Sequence, residues 1–77
     1  PGADAAAGVV AKLRAWRLAE ARRRGVPAFR IFSDRALFAL AEARPASEDA
    51  LMAVTGVGPR LVRLYGPALL KLLAARR

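Results

Sequence analysis

Leu51-Met52-Ala53-Val54-Thr55-Gly56-Val57-Gly58-Pro59-Arg60-Leu61-Val62-Arg63-Leu64-Tyr65-Gly66 is the stretch whose reading decides the fold. It reads as a helix, a tight glycine turn and a second helix. Gly58 stands where a helix cap belongs. Pro59 suits the first helical position, whose N–H has no intrahelical partner in any case. Gly56 and Gly58 lack a Cβ, so they admit backbone conformations closed to other residues and leave room for a ligand. Val57 between them points inward and locks the turn. The N–H groups of Val57 and Gly58 lie at the positive end of the second helix, which makes them a candidate anion site. Pro59 adds no donor there. Arg60 and Arg63 follow together, opposite the apolar arc of Leu61, Val62, Leu64 and Tyr65. A turn that does no more than pack two helices fits the same residues.

Working outward, Gly66 reads as a left-handed cap that ends this helix. Pro67 opens a further one, with Leu69, Leu70 and Leu73 inward and Lys71, Arg76 and Arg77 adding charge. Upstream, Ser47 caps a short helix over 48–54, whose first turn holds Glu48 and Asp49 where carboxylates complement the dipole. Ser33 or Asp34 caps a helix over 34–43, apolar along Leu37, Phe38, Leu40 and Ala41 and followed by Pro45. The first helix runs over about 9–24 and stops at Gly25 and Pro27. Its apolar arc holds Val9, Val10, Leu13, Trp16 and Ala21, and also Arg17 and Glu20. Those two can pair three residues apart, with Arg24 joining Glu20 at i+4. Arg17 thus reads as a structural arginine beside the core, while Leu18 points away from it. No stretch alternates as a strand would. The expectation is an all-α, compact five-helix bundle, with 1–8 a linker and 9–77 the folded domain of a longer protein.

Composition narrows the function. The 77 residues carry 14 Lys and Arg against 6 Asp and Glu, a net charge of +8, and contain neither Cys nor His. Disulfides, thiolate chemistry, most zinc sites and the commonest general base are excluded. Ser33 and Ser47 are used as caps, so no nucleophile stands beside a base, and no cofactor pattern occurs. Gly56-Val57-Gly58-Pro59 lacks the Gly-Lys-Ser/Thr that completes a nucleotide-hydrolase phosphate loop. No apolar run can span a bilayer and no signal-peptide pattern opens the chain. A positive excess of this size favours a polyanion. It is concentrated in 9–30 and 55–77, whereas 31–54 is net negative. A solvated surface rich in arginine is the plainer reading of the same excess.

Arg22, Arg23 and Arg24 end the first helix, where cations complement the dipole. Arg22 and Arg23 are also candidate phosphate partners. In Gly25-Val26-Pro27-Ala28-Phe29-Arg30-Ile31-Phe32, Pro27 keeps Val26 out of helix, and Val26, Ile31 and Phe32 can plug the core. Phe29 fits two readings: a core aromatic, or a ring that stacks a base while Arg30 holds its phosphate.

Several of these pieces occur together in one known family. Leu13-Arg14-Ala15-Trp16-Arg17, Gly25 to Asp34, Leu37, Leu40-Ala41, Arg44-Pro45, Leu51, Val54, Gly56-Val57-Gly58 and Tyr65-Gly66 resemble an HRDC domain, the helicase and RNase D C-terminal module. The resemblance covers roughly residues 9–75 and lies nearest the domains of bacterial RecQ-type helicases. It implies a five-helix bundle with a helix-hairpin-helix-like turn, acting as a non-catalytic accessory module. The parent would be an ATP-dependent DNA helicase of replication, recombination and repair, cytoplasmic and nucleoid-associated. In some members an aromatic at the Phe29 position, often Tyr, lies in the nucleic-acid surface. The expected partner is single-stranded or structured DNA. Contacts would fall among Arg22, Arg23, Phe29, Arg30, Val57, Gly58, Arg60, Arg63 and Lys71. The isolated domain would be a monomer with no cofactor and no membrane contact. The rival expectation is a regulatory protein-interaction module that docks on the helicase core or on a partner protein, which exposed Leu18 or Leu72 would support.

Overall fold

In a computed structural model, which describes residues 2–74, four α-helices and one 3-10 turn form a single layered bundle. They are α1 (Gly2–Arg24), the 3-10 turn (Ala28–Arg30), α2 (Asp34–Ala43), α3 (Glu48–Met52) and α4 (Pro59–Ala74). α1 packs on α2, on the 3-10 turn and on α4, and α3 packs on α4. Leu13, Leu37, Leu40, Leu51 and Leu69 are completely buried between them. Each helix thus contributes at least one large aliphatic side chain to the common core. Truncating any one of these leucines to alanine would cost about 2–5 kcal/mol.

Three boundaries differ from the sequence expectation. α1 begins at Gly2, not near residue 9, so residues 2–8, read as a linker, are helical. Alanine is the strongest helix former, and Ala3, Ala5, Ala6 and Ala7 favour the helix enough to carry it through Gly8. α3 ends at Met52, two residues early. The expected fourth and fifth helices are one: α4 runs through Gly66 and Pro67 without a break, so the α-helices number four and not five among the described residues. Gly66 is buried rather than a left-handed cap. A Cβ there would stand 3.3 Å from Val62 Cγ1 and 3.8 Å from Leu51 Cδ2. Glycine also removes the Cβ that would collide with the Pro67 ring in a helical conformation, and so lets the helix pass through a proline. The cost is local, since Pro67 offers no N–H to the Arg63 carbonyl. Arg76 and Arg77, expected to extend the positive charge, lie outside the described residues.

The caps follow the sequence closely. The Ala36 N–H donates to Ser33 Oγ at 3.2 Å, and the Ala50 N–H to Ser47 Oγ at 3.1 Å. α1 ends in a left-handed Gly25 (φ +70°). There the Val26 N–H donates to the Ala21 carbonyl at 3.0 Å and the Gly25 N–H to that of Arg22 at 3.2 Å. This double closure satisfies two of the last carbonyls of the helix and turns the chain back over the core. α2 ends on Arg44 in the left-handed region, φ 46°.

Arg17 ties this return to α1, but not through the partner expected for it. Its Nη2 donates to Asp34 Oδ1 at 2.8 Å and its Nη1 to the Phe32 carbonyl at 3.0 Å. Its guanidinium also lies 5.7 Å from the centre of the Phe32 ring. Glu20 instead pairs with Arg23 and Arg24. Arg17 therefore fixes the segment that leads into α2. From there Ala36 meets the turn before α4. Gly56 has φ +86°, and a Cβ on it would come within 3.0 Å of Ala36 Cβ. Side-chain freedom at Gly56 is thus excluded twice, by backbone conformation and by contact.

Replacing Arg17 strands a buried carbonyl, whereas replacing Asp34 removes a side chain that is 67% exposed. Arg17→Ala should lower stability by about 2–3 kcal/mol, through the unsatisfied carbonyl and lost packing. Asp34→Ala should cost less than about 1 kcal/mol, as for an exposed ion pair. Urea unfolding followed by helical ellipticity measures both; equal losses would show that the ion pair, not the bond to Phe32, holds the segment.

Candidate nucleic-acid interface

The residues singled out from sequence separate into distinct places. Arg30 and Arg60 come together with Gly58 around one groove of roughly 450 Å³, where the 3-10 turn meets the start of α4. Arg24, at the end of α1, completes this groove. Leu61, Leu64 and Tyr65 give it an apolar wall, and Leu64 is 45% exposed although the helical wheel placed it inward. Three positive side chains from three separate stretches thus line one open groove.

Gly58 lies at the N-terminal end of α4, where its carbonyl accepts from the Val62 N–H at 3.1 Å. A Cβ on Gly58 would meet no atom within 4 Å. The space beside it is therefore open, in contrast to Gly56. The expectation for Val57 needs correction. Its N–H donates to the Val54 carbonyl at 3.1 Å, which closes the turn and removes it as an anion donor. Its side chain packs against the core, as the turn requires. The anion-binding potential of this turn therefore rests on Gly58 and the helix end, with the arginines supplying full charge.

Phe29 is 68% exposed, which removes the core reading of that ring. The reason is the 3-10 turn itself. The Arg30 N–H closes on the Pro27 carbonyl at 3.0 Å and the Ile31 N–H on that of Ala28 at 3.0 Å. This tight winding sends Ile31 and Phe32 into the core and leaves Phe29 on the outside.

Arg63 does not share the groove with Arg60. It lines a second groove, of about 500 Å³, with Glu48 and Asp49 of α3. The acidic first turn of α3 offsets its charge there. Lys71 is exposed on the same face of α4 as Arg60, about 16 Å further along the helix axis at 1.5 Å per residue. Arg22 is exposed and lines neither groove. Arg23 is engaged by Glu20, with Nη2 at 2.7 Å from Oε2 and Nε at 3.2 Å from Oε1.

Sequence reading assigned Arg24 only to the dipole and to Glu20, and Tyr65 only to the core. In the structure Arg24 Nε donates to Glu20 Oε2 at 2.7 Å, and its guanidinium lies 5.3 Å from the centre of the Tyr65 ring. Tyr65 in turn meets Trp16 edge-on at 5.2 Å, and Trp16 stacks on Phe32 at 6.2 Å. The i, i+4 spacing of Glu20 and Arg24 was the visible signal. The Tyr65 contact has none, because 41 positions separate it from Arg24. The Glu20 carboxyl is held below the ordinary carboxylate range, first by its bond to Arg24 and then by that to Arg23. The same bond, with the Tyr65 phenol, raises Arg24 further above an already high value.

Comparison with known proteins agrees with this architecture. The family model for the HRDC domain matches residues 6–73. The chain belongs to the HRDC family. It is 38% identical over 74 residues to the ATP-dependent DNA helicase UvrD2 of Mycobacterium tuberculosis and to that of Mycobacterium bovis. The match takes in 96% of this chain but 11% of those helicases. The third HRDC domain of D. radiodurans RecQ superposes with a TM-score of 0.85 at 29% identity, over 88% of this chain and 90% of that one. Both kinds of relative place this HRDC domain with those of DNA helicases. Among the described residues no helix is long and apolar enough to cross a membrane.

The lowered Glu20 value has a consequence for stability. A carboxylate whose folded value lies below its unfolded value binds fewer protons when folded, so protonation favours unfolding. The contribution of Glu20 is present above about pH 4.5 and is lost as pH falls through its lower folded value. Thermal melts between pH 7 and pH 2.5 should show a smaller acid-induced loss in Glu20→Gln than in the unaltered domain. Parallel curves would mean that the two arginines do not stabilise the folded carboxylate.

Proposed function

We propose that this HRDC domain is a non-catalytic DNA-binding module of a bacterial DNA helicase. It holds a strand so that the motor engages it or distinguishes one DNA structure from another. The observation that carries the proposal is the convergence of Arg24, Arg30 and Arg60 on one groove beside Gly58, with Leu64 and Phe29 exposed nearby. Phosphates fit the arginines, whose planar forks match their oxygens. A base fits the apolar wall or the face of Phe29. The parent is an ATP-dependent helicase of the UvrD2 or RecQ kind, working on DNA in the bacterial cytoplasm. Arg22, Arg23, Arg63 and Lys71 act as outlying charge, weaker than the three groove arginines. Arg23 and Arg63 each have carboxylates beside them. Arg22 and Lys71 lie away from the groove.

Base sequence is read weakly or not at all, because no helix presents a row of side chains suited to base edges. Affinity comes from released counterions and falls steeply with salt. With three phosphate contacts, the logarithm of the association constant for a single strand should fall with the logarithm of salt at a slope of about −2. Each of Arg24→Ala, Arg30→Ala and Arg60→Ala should reduce the steepness by about 0.7. Fluorescence anisotropy of labelled single-stranded and forked DNA across a salt series measures this. Absence of binding at the lowest salt would end the DNA reading.

A second reading has an observation of its own. Leu18 is exposed on α1, one turn beyond Arg14, whose guanidinium covers the half-exposed Phe38 ring of α2 at 5.3 Å. None of these three residues lines the arginine groove, and their side suits docking on the helicase core. Leu72, the other expected docking residue, is half-buried against the core. If docking is the role, Leu18→Glu should release the domain from the motor in a pull-down of the separated parts and leave DNA affinity unchanged.

A further inference from the structure

We infer that Glu20, a carboxylate, promotes binding of the DNA phosphate by positioning Arg24. The inference rests on the DNA-binding reading above. Glu20 is almost wholly buried, with 9% of its side chain exposed, whereas Arg24 is 45% exposed. The carboxylate is thus the fixed member of the pair. It takes Arg24 by Nε alone, at 2.7 Å. The Nη1 and Nη2 edge, the edge that grips a phosphate with two parallel bonds, is left outside that contact. The same guanidinium lies over the Tyr65 ring, 5.3 Å from its centre, and Tyr65 is itself braced by Trp16. Anchored at one atom and held over the Tyr65 ring, Arg24 has already lost part of the rotamer freedom that an exposed arginine surrenders on binding.

Arg23 shows the contrast. The same carboxylate takes it through both Nε and Nη2, so one of the two atoms of the corresponding edge is already bonded. It projects outward, with 71% of its side chain exposed, and does not line the groove. One buried acid therefore treats two neighbouring arginines differently. It neutralises Arg23 and presents Arg24 to the groove.

The two ways in which Glu20 could matter have opposite signs. As a mere negative charge it would repel DNA, and its removal would tighten binding. As a positioning residue its removal weakens binding, although the domain becomes more positive. Anisotropy titrations of labelled single-stranded DNA at fixed low salt decide between them. Glu20→Ala should weaken binding about threefold or more, and Arg24→Ala about tenfold, the loss of a charge-assisted bidentate contact. Arg24→Lys should recover little, because lysine has neither the Nε anchor nor the fork. Arg22→Ala should change affinity less than about twofold. In the double variant Glu20→Ala with Arg24→Ala, loss of Glu20 should add nothing to loss of Arg24. Glu20→Gln keeps an acceptor oxygen and controls for folding, with helical ellipticity measured for every variant; it should bind better than Glu20→Ala. Tighter binding by a folded Glu20→Ala variant, or additive effects in the double variant, would overturn the positioning role and leave the DNA-binding reading intact. Absence of binding by the unaltered domain would remove both.

Discussion

The bond from Arg17 to the Phe32 carbonyl is the constraint on which the rest of the structure depends. The chain leaves α1 at a left-handed glycine and must return across the core before α2 begins. A short irregular segment of that kind has few backbone bonds of its own, so its polar groups need partners from elsewhere. Arg17 supplies one from the middle of α1, reaching the Phe32 carbonyl and the Asp34 carboxylate together. With Phe32 fixed, Trp16 stacks on it and Tyr65 packs against Trp16. The aromatic series therefore runs from the clamp at one end to the arginine groove at the other.

The same clamp places α4 indirectly. It sets the first turn of α2, Ala36 of that turn meets Gly56, and Gly56 sets the direction in which the chain enters α4. Glycine is required at this contact, where a side chain would push two elements apart. At Gly66 a Cβ would crowd Val62 of the same helix and would only touch Leu51 of α3. The groove is thus the meeting place of three chain segments held by contacts that lie behind it. Its arginines need no rearrangement of the core to face a ligand. Charge density at the groove follows from how the fold converges, while acidic residues near Arg23 and Arg63 blunt the remaining positive charge.

Much of the fold was legible along the chain. Ser33 and Ser47 mark two helix starts because their hydroxyls meet a local need for acceptors. Gly25 marks the end of α1 because the left-handed region suits glycine. The family resemblance rested on such signals, spread over nearly the whole chain. The errors have equally local causes. An alanine-rich start resembled a linker because it lacks apolar periodicity, yet its propensity extends the helix. Gly66-Pro67 resembled a stop because each residue alone is one, whereas together they relieve the clash that would make them so. Phe29 was ambiguous because a wheel cannot place a ring in a 3-10 turn.

The sequence by itself determined an all-helical HRDC domain, the caps at Ser33, Ser47 and Gly25, its excess of arginine and the turn that joins α3 to α4. These depend on neighbours within a few residues or on composition. Only the tertiary structure decided which arginines stand together. Arg60 and Arg63 are three residues apart and line different grooves; Arg24 and Arg60 are far apart and line the same one. It also decided that Arg17 pairs with Asp34, although spacing allowed Arg17 to pair with Glu20. The physical reason is that charge and stacking act through space over a few ångströms. The chain order of these residues does not record which of them the core brings that close.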